Sequence, residues 1–524
     1  MRNLLPLIVA LCCSAPAFCQ FQNIMISNAD SPQEPCITIN PKNVAEIVAG
    51  SNLNNVYIST DTGNTWQEQK LSSSYGVWGD PFIITDTAGR FYFFHLSAPT
   101  GTHFAPDWLD RIVCQRLDNI NGTWNNGSYT GLNGLKDQDK EWGIVDRKTN
   151  TIYITWTEFD KYASPLSQDS SIILFSKSTD FGDSWEAPIR INDVAGDCID
   201  KDNTVEGATP CVGPNGEVYV SWVGPAGIVF DRSLDGGQTW LPLDKFVSDI
   251  PGGWDLDIPG IDRSNGLPFI ACDISGGPYN GTIYINWADQ RNGANNTDIW
   301  LSKSTDGGNT WSAPAKVNTD NNITAHQFLT SMAIDQKTGY LYFLFYDRRN
   351  HSGNQTDVYM AYSTDGGVTF HDKKISTTPF TPFSTVFFGD YTSISAHDNV
   401  IRPIWGRTDG TQQSIWTAKV DVPKLFGWPA DVQDVKVELD NSYPNPFYET
   451  TFISFKLREK AVVQLDVMDL YGRRIKTIAA NETLEPGRHA YQFDSRPLSL
   501  APGVYFFHLR CGNEVRTRKI ILAE

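Results

Sequence analysis

Ser304-Thr305-Asp306-Gly307-Gly308-Asn309-Thr310-Trp311 is one of five copies of the pattern S-x-D-x-G-x-[ST]-[WF] in this chain. The other four are built on Asp61, Asp180, Asp235 and Asp365, and they end on Trp66, Trp185, Trp240 and Phe370. A repeat at this spacing takes precedence over any other local signal, because each copy marks one supersecondary unit. Every copy lies between two short β-type runs. Ser and Asp side chains bond to the backbone of a tight turn, the glycine supplies positive φ, and the aromatic covers the turn from below. The five aspartates are therefore expected to build structure.

Around residues 304–311 the repeat extends to a longer unit. It reads Thr282-Ile283-Tyr284-Ile285-Asn286-Trp287, then Asp298-Ile299-Trp300-Leu301-Ser302-Lys303, then the turn, then Ala315-Lys316-Val317. With one strand ahead of these, each unit holds four short strands. First strands are expected near Cys36, Pro81, Trp142, Ala208, Pro259, Leu329 and Tyr391, which makes seven units. The step from Asp61 to Asp180 is 119 residues against 55 to 71 for the later copies, so one copy is missing. Its relic keeps Thr123-Trp124, with Asn119 in place of the aspartate. The seventh unit ends near Val420 without a fourth strand. Asn23-Ile24-Met25-Ile26-Ser27-Asn28 reads like the fourth strands at residues 188–193 and 315–320, and is expected to close the ring by covering that open edge. The expected fold is all-β: a seven-bladed β-propeller over residues 20–422.

The repeat itself is the Asp box, and this part of the chain resembles the bacterial neuraminidase repeat family, which includes sialidases and many β-propellers without sialidase activity. Because sialidases have six blades, the resemblance offers six as the alternative count. It implies a fold and no particular activity. Beyond a Pro-bearing linker at residues 423–440, the character changes. Tyr443-Pro444-Asn445-Pro446-Phe447, Asp466-Val467-Met468-Asp469-Leu470-Tyr471-Gly472-Arg473, Leu500-Ala501-Pro502-Gly503-Val504-Tyr505-Phe506 and Arg518-Lys519-Ile520-Ile521-Leu522 follow in order. Residues 441–524 resemble the C-terminal sorting domain of the type IX secretion system of Bacteroidetes. That resemblance implies the type IX machinery as a partner and a secreted or surface-attached protein. Read from the residues alone, the segment is a small immunoglobulin-like β-sandwich with Pro-Gly turns.

Residues 1–19 read as a signal peptide: Arg2, an apolar run over 4–13, then Ala15-Pro16-Ala17-Phe18-Cys19. No later run is long and apolar enough for a transmembrane segment. Six cysteines follow, and an exported chain permits disulfides; Cys198 with Cys211 is the expected pair. Neither C-x-x-C pairs in the mature chain nor H-E-x-x-H occur, which excludes the common zinc patterns. Net charge is −18, and the last 84 residues carry 12 Lys+Arg against 9 Asp+Glu, leaving −21 on the first 440. Such a body does not bind nucleic acid through its phosphates. A monomer is expected.

Residues just ahead of the first strands should ring one mouth of the propeller: Glu34, Asp80, Glu141, Glu206, Asp257, His326 and Asp390. Six of these seven are acids. Crowded carboxylates raise one another's pKa or recruit a cation, so Glu141 and Asp257 are candidate ligands for Ca²⁺. Arg291, Arg348 and Arg407 follow second strands after an aromatic and are candidate substrate contacts, the other reading being braces between loops. Trp108 lies in one of the two longest loops, residues 95–111. For a sialidase, the resemblance implies an arginine triad, a tyrosine nucleophile with a glutamate partner and an aspartate acid/base. Gly389-Asp390-Tyr391-Thr392 resembles the tyrosine's context, which makes Tyr391, Glu206 and Asp390 the catalytic candidates; Arg232, Arg402 and Arg407 fit the triad by order alone. No Phe/Tyr-Arg-Ile-Pro motif occurs near the mature N-terminus, so an exo-sialidase is disfavoured. Two classes stay open: a glycoside hydrolase or polysaccharide lyase acting on a glycan, and a non-catalytic propeller binding a glycan or a protein.

Overall fold

The computed structural model describes residues 21–426, 437–511 and 514–523. The signal peptide at 1–19 and the middle of the linker lie outside the described residues. The chain divides into two compact units, Met1–Val422 and Pro423–Glu524.

In the first unit the described residues form seven four-stranded antiparallel sheets. Six are sequential meanders, beginning at Cys36–Ile39, Phe82–Thr85, Asp137–Val145, Glu206–Val212, Phe269–Cys272 and Gln327–Asp335. The seventh combines Ser393–His397, Val400–Asp409 and Gln412–Val420 with Phe21–Ser27 from the start of the chain. These seven first strands touch their neighbours in cyclic order, and Ser393–His397 meets Cys36–Ile39 to close the circle. The sheets are the blades of a β-propeller.

Burial follows from this packing. Second and third strands such as Ile47–Ser51, Asn55–Ser59, Val218–Gly224 and Ile283–Asp289 are buried on both faces, because a blade lies against each side. Their sequences are accordingly near-continuous apolar runs. Outer strands are short and charged, as in Gln67–Lys70 and His371–Lys374, which blunts each exposed edge. Closure by the N-terminal strand runs antiparallel with Phe21 opposite Val420 and Met25 opposite Trp416. Asn23 ties that strand to the preceding blade, donating to the Ile375 carbonyl at 2.8 Å and accepting from the Thr377 amide at 2.8 Å.

All five Asp boxes share one hydrogen-bond pattern. In the box of Asp306, the Ser304 hydroxyl donates to Asp306 Oδ1 (2.8 Å) and accepts from the Gly308 amide (2.8 Å). Asp306 also accepts from the Thr310 amide (3.0 Å) and the Thr310 hydroxyl (2.6 Å). Gly308 has φ +86°, and a Cβ there would meet the Phe230 ring of the preceding blade at 2.2 Å. Each box is also gripped from the preceding blade, which its own eight residues do not reveal. Arg116 donates to the Phe181 carbonyl (2.8 Å), Lys177 to Gly236 (3.0 Å), Arg232 to Gly307, Lys303 to Gly366 (2.7 Å) and Arg402 to Thr62 (2.8 Å). Trp240 and Trp311 return the contact, lying edge-on against Phe175 at 4.9 Å and Phe230 at 5.1 Å. The box thus joins blades as well as turning the chain. The relic at Asn119 keeps a turn, with its side chain accepting from the Asn121 amide (3.2 Å), and Trp124 packs edge-on against Phe93.

Two expectations need correction. The fifth first strand starts at Phe269, ten residues after Pro259, because residues 249–268 make an excursion pinned by an Asp255–Asn265 bridge. Cys198 and Cys211 are not paired: both are buried thiols, and Cys211 lies inside a first strand while Cys198 bridges to Ser164 in a loop.

The second unit packs a three-stranded sheet, Val437–Leu439, Thr450–Leu457 and Gly487–Asp494, against a four-stranded one built on Ala461–Met468 and Gly503–Cys511. Phe447, Phe455, Leu465, Phe493, Phe507 and Ile520 fill the space between them. This is a small β-sandwich.

Candidate functional site

The chain enters several first strands through a kinked backbone. Glu34, Asp80 and Lys140 have φ of 54°, 49° and 52°, and register shifts break the pairing at Asp139/Trp142, Glu206/Thr209 and Phe328/Ser331. Such bulges re-aim side chains next to functional sites. Here they bring charged groups from different blades together at the upper mouth.

Asp390 is at the centre of the cluster and is 2% exposed. Lys140 bridges it to Asp80, with Nζ 2.8 Å from a carboxylate oxygen of each. Arg263 grips Asp390 through both Nε (2.8 Å) and Nη2, and reaches Asp200 through Nη1 (3.0 Å). Tyr162 donates to the same Asp200 at 2.7 Å. Burial alone would push the Asp390 carboxyl up, but Arg263 and Lys140 outweigh it and hold the group well below the usual carboxylate range. The two cations are themselves raised, since Asp390 and its fellow acids more than offset their burial. Glu34 joins from the first blade, accepting from the Asp390 amide (3.1 Å) and from Asn52.

Other acids at the mouth are left uncompensated. Glu206 is 1% exposed, and its Oε1 has no partner among the described residues; both carboxyl oxygens of Glu141 are also unpartnered. Burial, then Asp200 and Asp139, raise Glu206, whereas burial and Asp80 raise Glu141. Both carboxyls are thereby shifted toward the protonated form. Tyr391 packs edge-on against Trp142 at 6.2 Å, and burial with Asp80 and Glu34 lifts its phenol well above the ordinary value. The gap framed by Asp80, Lys140, Glu141, Trp142 and Tyr391 has no room for a water molecule.

Glu206, Asp390, Tyr391 and Glu141 therefore share one buried cluster, linked through Lys140 and Arg263, while Asp257 stands apart. It is exposed in the 249–268 excursion, where its charge acts on His326. No group of three or more His, Cys, Asp or Glu side chains among the described residues is arranged to hold a metal ion. The positive charge that Ca²⁺ was expected to bring is supplied at this mouth by Lys140 and Arg263.

Arg291, Arg348 and Arg407 are each tied into loops. Arg291 pairs with Asp289 (2.5 Å) and lies over Trp300, Arg348 donates to the Pro259 carbonyl (2.6 Å), and Arg407 pairs with Asp409 (2.6 Å). Arg232 and Arg402 sit on two different Asp-box clamps, so the residues that fit an arginine triad by chain order do not converge. Trp108 is buried and roofed by His103 and Phe104, which stack at 3.9 Å; Phe104 lies 4.9 Å from Trp108 and is 67% exposed. Trp108 in turn touches Tyr162 at 5.8 Å, which connects this aromatic patch to the Asp200–Arg263–Asp390 chain. Lys140 and Arg263 carried no repeat signature, and only their spatial neighbours reveal them.

Residues 441–523 match the family described as "Secretion system C-terminal sorting domain". The protein is exported. Its tail is a sorting signal read by a secretion machinery, and the protein is secreted or held at the cell surface. No described helix is long and apolar enough to cross a membrane. No curated protein matches the chain. Among solved structures, a protein of unknown function from Dyadobacter fermentans is similar at 12% identity and TM-score 0.44, covering 75% of this chain and 100% of that one. A Trypanosoma rangeli sialidase is similar at 13% identity and TM-score 0.39, covering 88% and 87%. The Hadza microbial sialidase Hz136 is similar at 14% identity and TM-score 0.40, covering 73% and 75%.

Proposed function

We propose that this protein is a secreted or surface-attached propeller that recognises acidic glycans at its upper mouth and leaves them uncleaved. The observation that carries this reading is the sealing of the mouth. Asp390, Glu206, Glu141 and Tyr391 lie beneath the surface with no room for a water between Glu141, Lys140 and Tyr391, whereas Arg263 remains one-third exposed and the ring of Phe104 is open to solvent. Asp390 and Asp200 take three of the five N–H donors of Arg263, and the two left over suit a carboxylate or sulfate oxygen on a sugar. The exposed aromatic patch supplies a flat apolar surface for the sugar's C–H face.

Array binding followed by calorimetry tests the reading. The full-length protein is expected to retain acidic glycans and to pass neutral ones. Phe104→Ala, which touches no buried charge, should weaken binding by about 3- to 10-fold. Retention of no glycan at all would overturn the proposal.

A second reading rests on one specific contrast. Glu206 is pushed up and Asp390 down, the separation of acidities that an acid/base pair requires. It makes the protein a glycoside hydrolase in which the cluster opens on substrate binding, and its signature is release of reducing ends.

A further inference from the structure

The propeller's opposite mouth has a different chemistry. There each blade turns from its first strand into its second. Pro41, Thr87, Arg147, Pro214, Ile274 and Gln336 come from six of these turns and line one cavity of about 590 Å³. His397 completes it from the seventh blade. Arg147 also borders the narrower space of about 250 Å³ between the first strands, so it stands where that space meets the cavity.

Arg147 has no hydrogen-bond or ion-pair partner among the described residues, unlike the arginines at the upper mouth and on the Asp-box clamps. Its side chain is open to solvent in the cavity yet walled by protein. That enclosure pulls its pKa below the ordinary arginine value, with Asp335 opposing. The acids nearby are already engaged. Asp335 accepts the amides of Lys337 (2.9 Å), Asp398 (3.0 Å) and Asn399 (2.9 Å), and Asp146 accepts from the Lys148 amide (2.8 Å) and the Thr149 hydroxyl (2.9 Å). Lys148 and Lys337 line the same cavity. His397 is 5% exposed, and its Nδ1 is buried without a partner. Gln336 is held in place, accepting from the Ile274 amide (2.8 Å) and donating to the Cys272 carbonyl (2.9 Å).

A guanidinium without a protein partner in a walled cavity keeps five donors available to a ligand, and its fork matches two oxygens of one carboxylate, sulfate or phosphate. A first-strand turn needs no arginine at this position, as the Pro, Thr, Ile and Gln of other blades demonstrate. We propose that the lower mouth is a second ligand site, separate from the upper one, that takes the oxyanion group of a small molecule, with Arg147 as its bidentate clamp and Lys337 and His397 flanking. The cavity volume suits a ligand the size of one or two sugar rings.

Calorimetry and thermal shift on the full-length protein at constant ionic strength test this, with inorganic sulfate, inorganic phosphate and glucuronate as probes. The first two report a free inorganic ion, the third a sugar acid. At least one should bind with Kd of about 1 mM or tighter. Arg147→Ala should weaken it by about ten-fold or more, and Arg147→Lys, which keeps the charge but not the fork, should lie between. Phe104→Ala, on the other face, should leave the binding of inorganic sulfate and phosphate unchanged. Because Arg147 makes no internal bond, Arg147→Ala should melt no lower than the parent without ligand. Absence of binding by all three probes, equal binding by Arg147→Ala, or a melting point well below the parent would each overturn the proposal.

Discussion

The Asp-box rim and the upper mouth both hold carboxylates, and they hold them by opposite means. At the rim each aspartate is satisfied within its own eight residues and lies near the surface: Asp306 takes two bonds from Thr310 and one from Ser304, which bring it down to about 2. At the mouth the carboxylates come from different blades and lie beneath the surface, and their partners stand far away in sequence. Arg263 reaches Asp390 across 127 residues. Rim acids are stabilised by neutral dipoles that the turn supplies locally. Mouth acids depend on two cations, which satisfy Asp80, Asp200 and Asp390 but leave Glu141 and Glu206 bare. Local order is therefore expected to survive the loss of the ring, and the mouth is not.

The largest test of this contrast opens the ring. Deleting residues 21–27 removes the outer strand of the seventh blade. Near-ultraviolet circular dichroism should lose its fixed aromatic signal, and the single thermal transition should disappear, while strand content by far-ultraviolet measurement largely persists. An unchanged transition would mean that closure does not hold the mouth together. A smaller effect is expected from Lys140→Met, which removes the one cation that Asp390 and Asp80 share. Urea unfolding should show a loss of about 3–5 kcal/mol, the usual cost of breaking a buried ion pair. Adding Asp390→Asn should recover part of that loss; no recovery would mean Lys140 acts by packing alone.

Asp306→Ala should cost less, about 1–2 kcal/mol by the same assay, because the bonds it removes are near the surface and water replaces some of them. The two regions should also respond to pH with opposite signs. Asp61, Asp306 and Asp365 lie near 2 against an ordinary 3.8, so the stability they contribute is present above 3.8 and is lost as pH falls toward 2. Glu34, Glu141 and Glu206 are raised above an ordinary 4.5, so they cost nothing below 4.5 and destabilise increasingly as pH rises above it. Urea midpoints measured across pH should therefore decline less steeply above 4.5 in Glu206→Gln and fall less below 3.8 in Asp306→Asn. The reverse assignment of those two slopes would contradict the contrast.

This division also explains what the sequence disclosed. The Asp box could be read because Ser304, Asp306, Gly308 and Thr310 do their work within seven positions, and the closing strand could be read because residues 23–28 repeat a pattern seen in other blades. What failed depended on long-range packing. Residues 249–268 contain Pro251, Pro259 and Pro268, and backbone pairing such as the Asp255–Asn265 bridge and the Leu256–Ser264 bond makes them an excursion in place of a strand beginning at Pro259. Arg232 and Arg402 looked like ligand-binding arginines by chain order, yet they grip carbonyls of the next Asp box. Glu206 and Asp390 are legible as neighbours because both stand just ahead of first strands, whereas Tyr391 enters only through the resemblance of its sequence context. Lys140 and Arg263 were missed because nothing in their local spacing marks them as partners of Asp390.

Whether this mouth recognises or cleaves is decided most directly by a reducing-end release assay on the acidic glycans that the protein retains, run with the parent and with the double substitution Glu206→Gln, Asp390→Asn. The sealed cluster predicts no release by either protein at any pH from 4 to 8, a range that spans the ordinary working window of carboxylate pairs, about 4 to 8. Release by the parent that the double substitution abolishes would contradict the account and make Glu206 and Asp390 a catalytic pair.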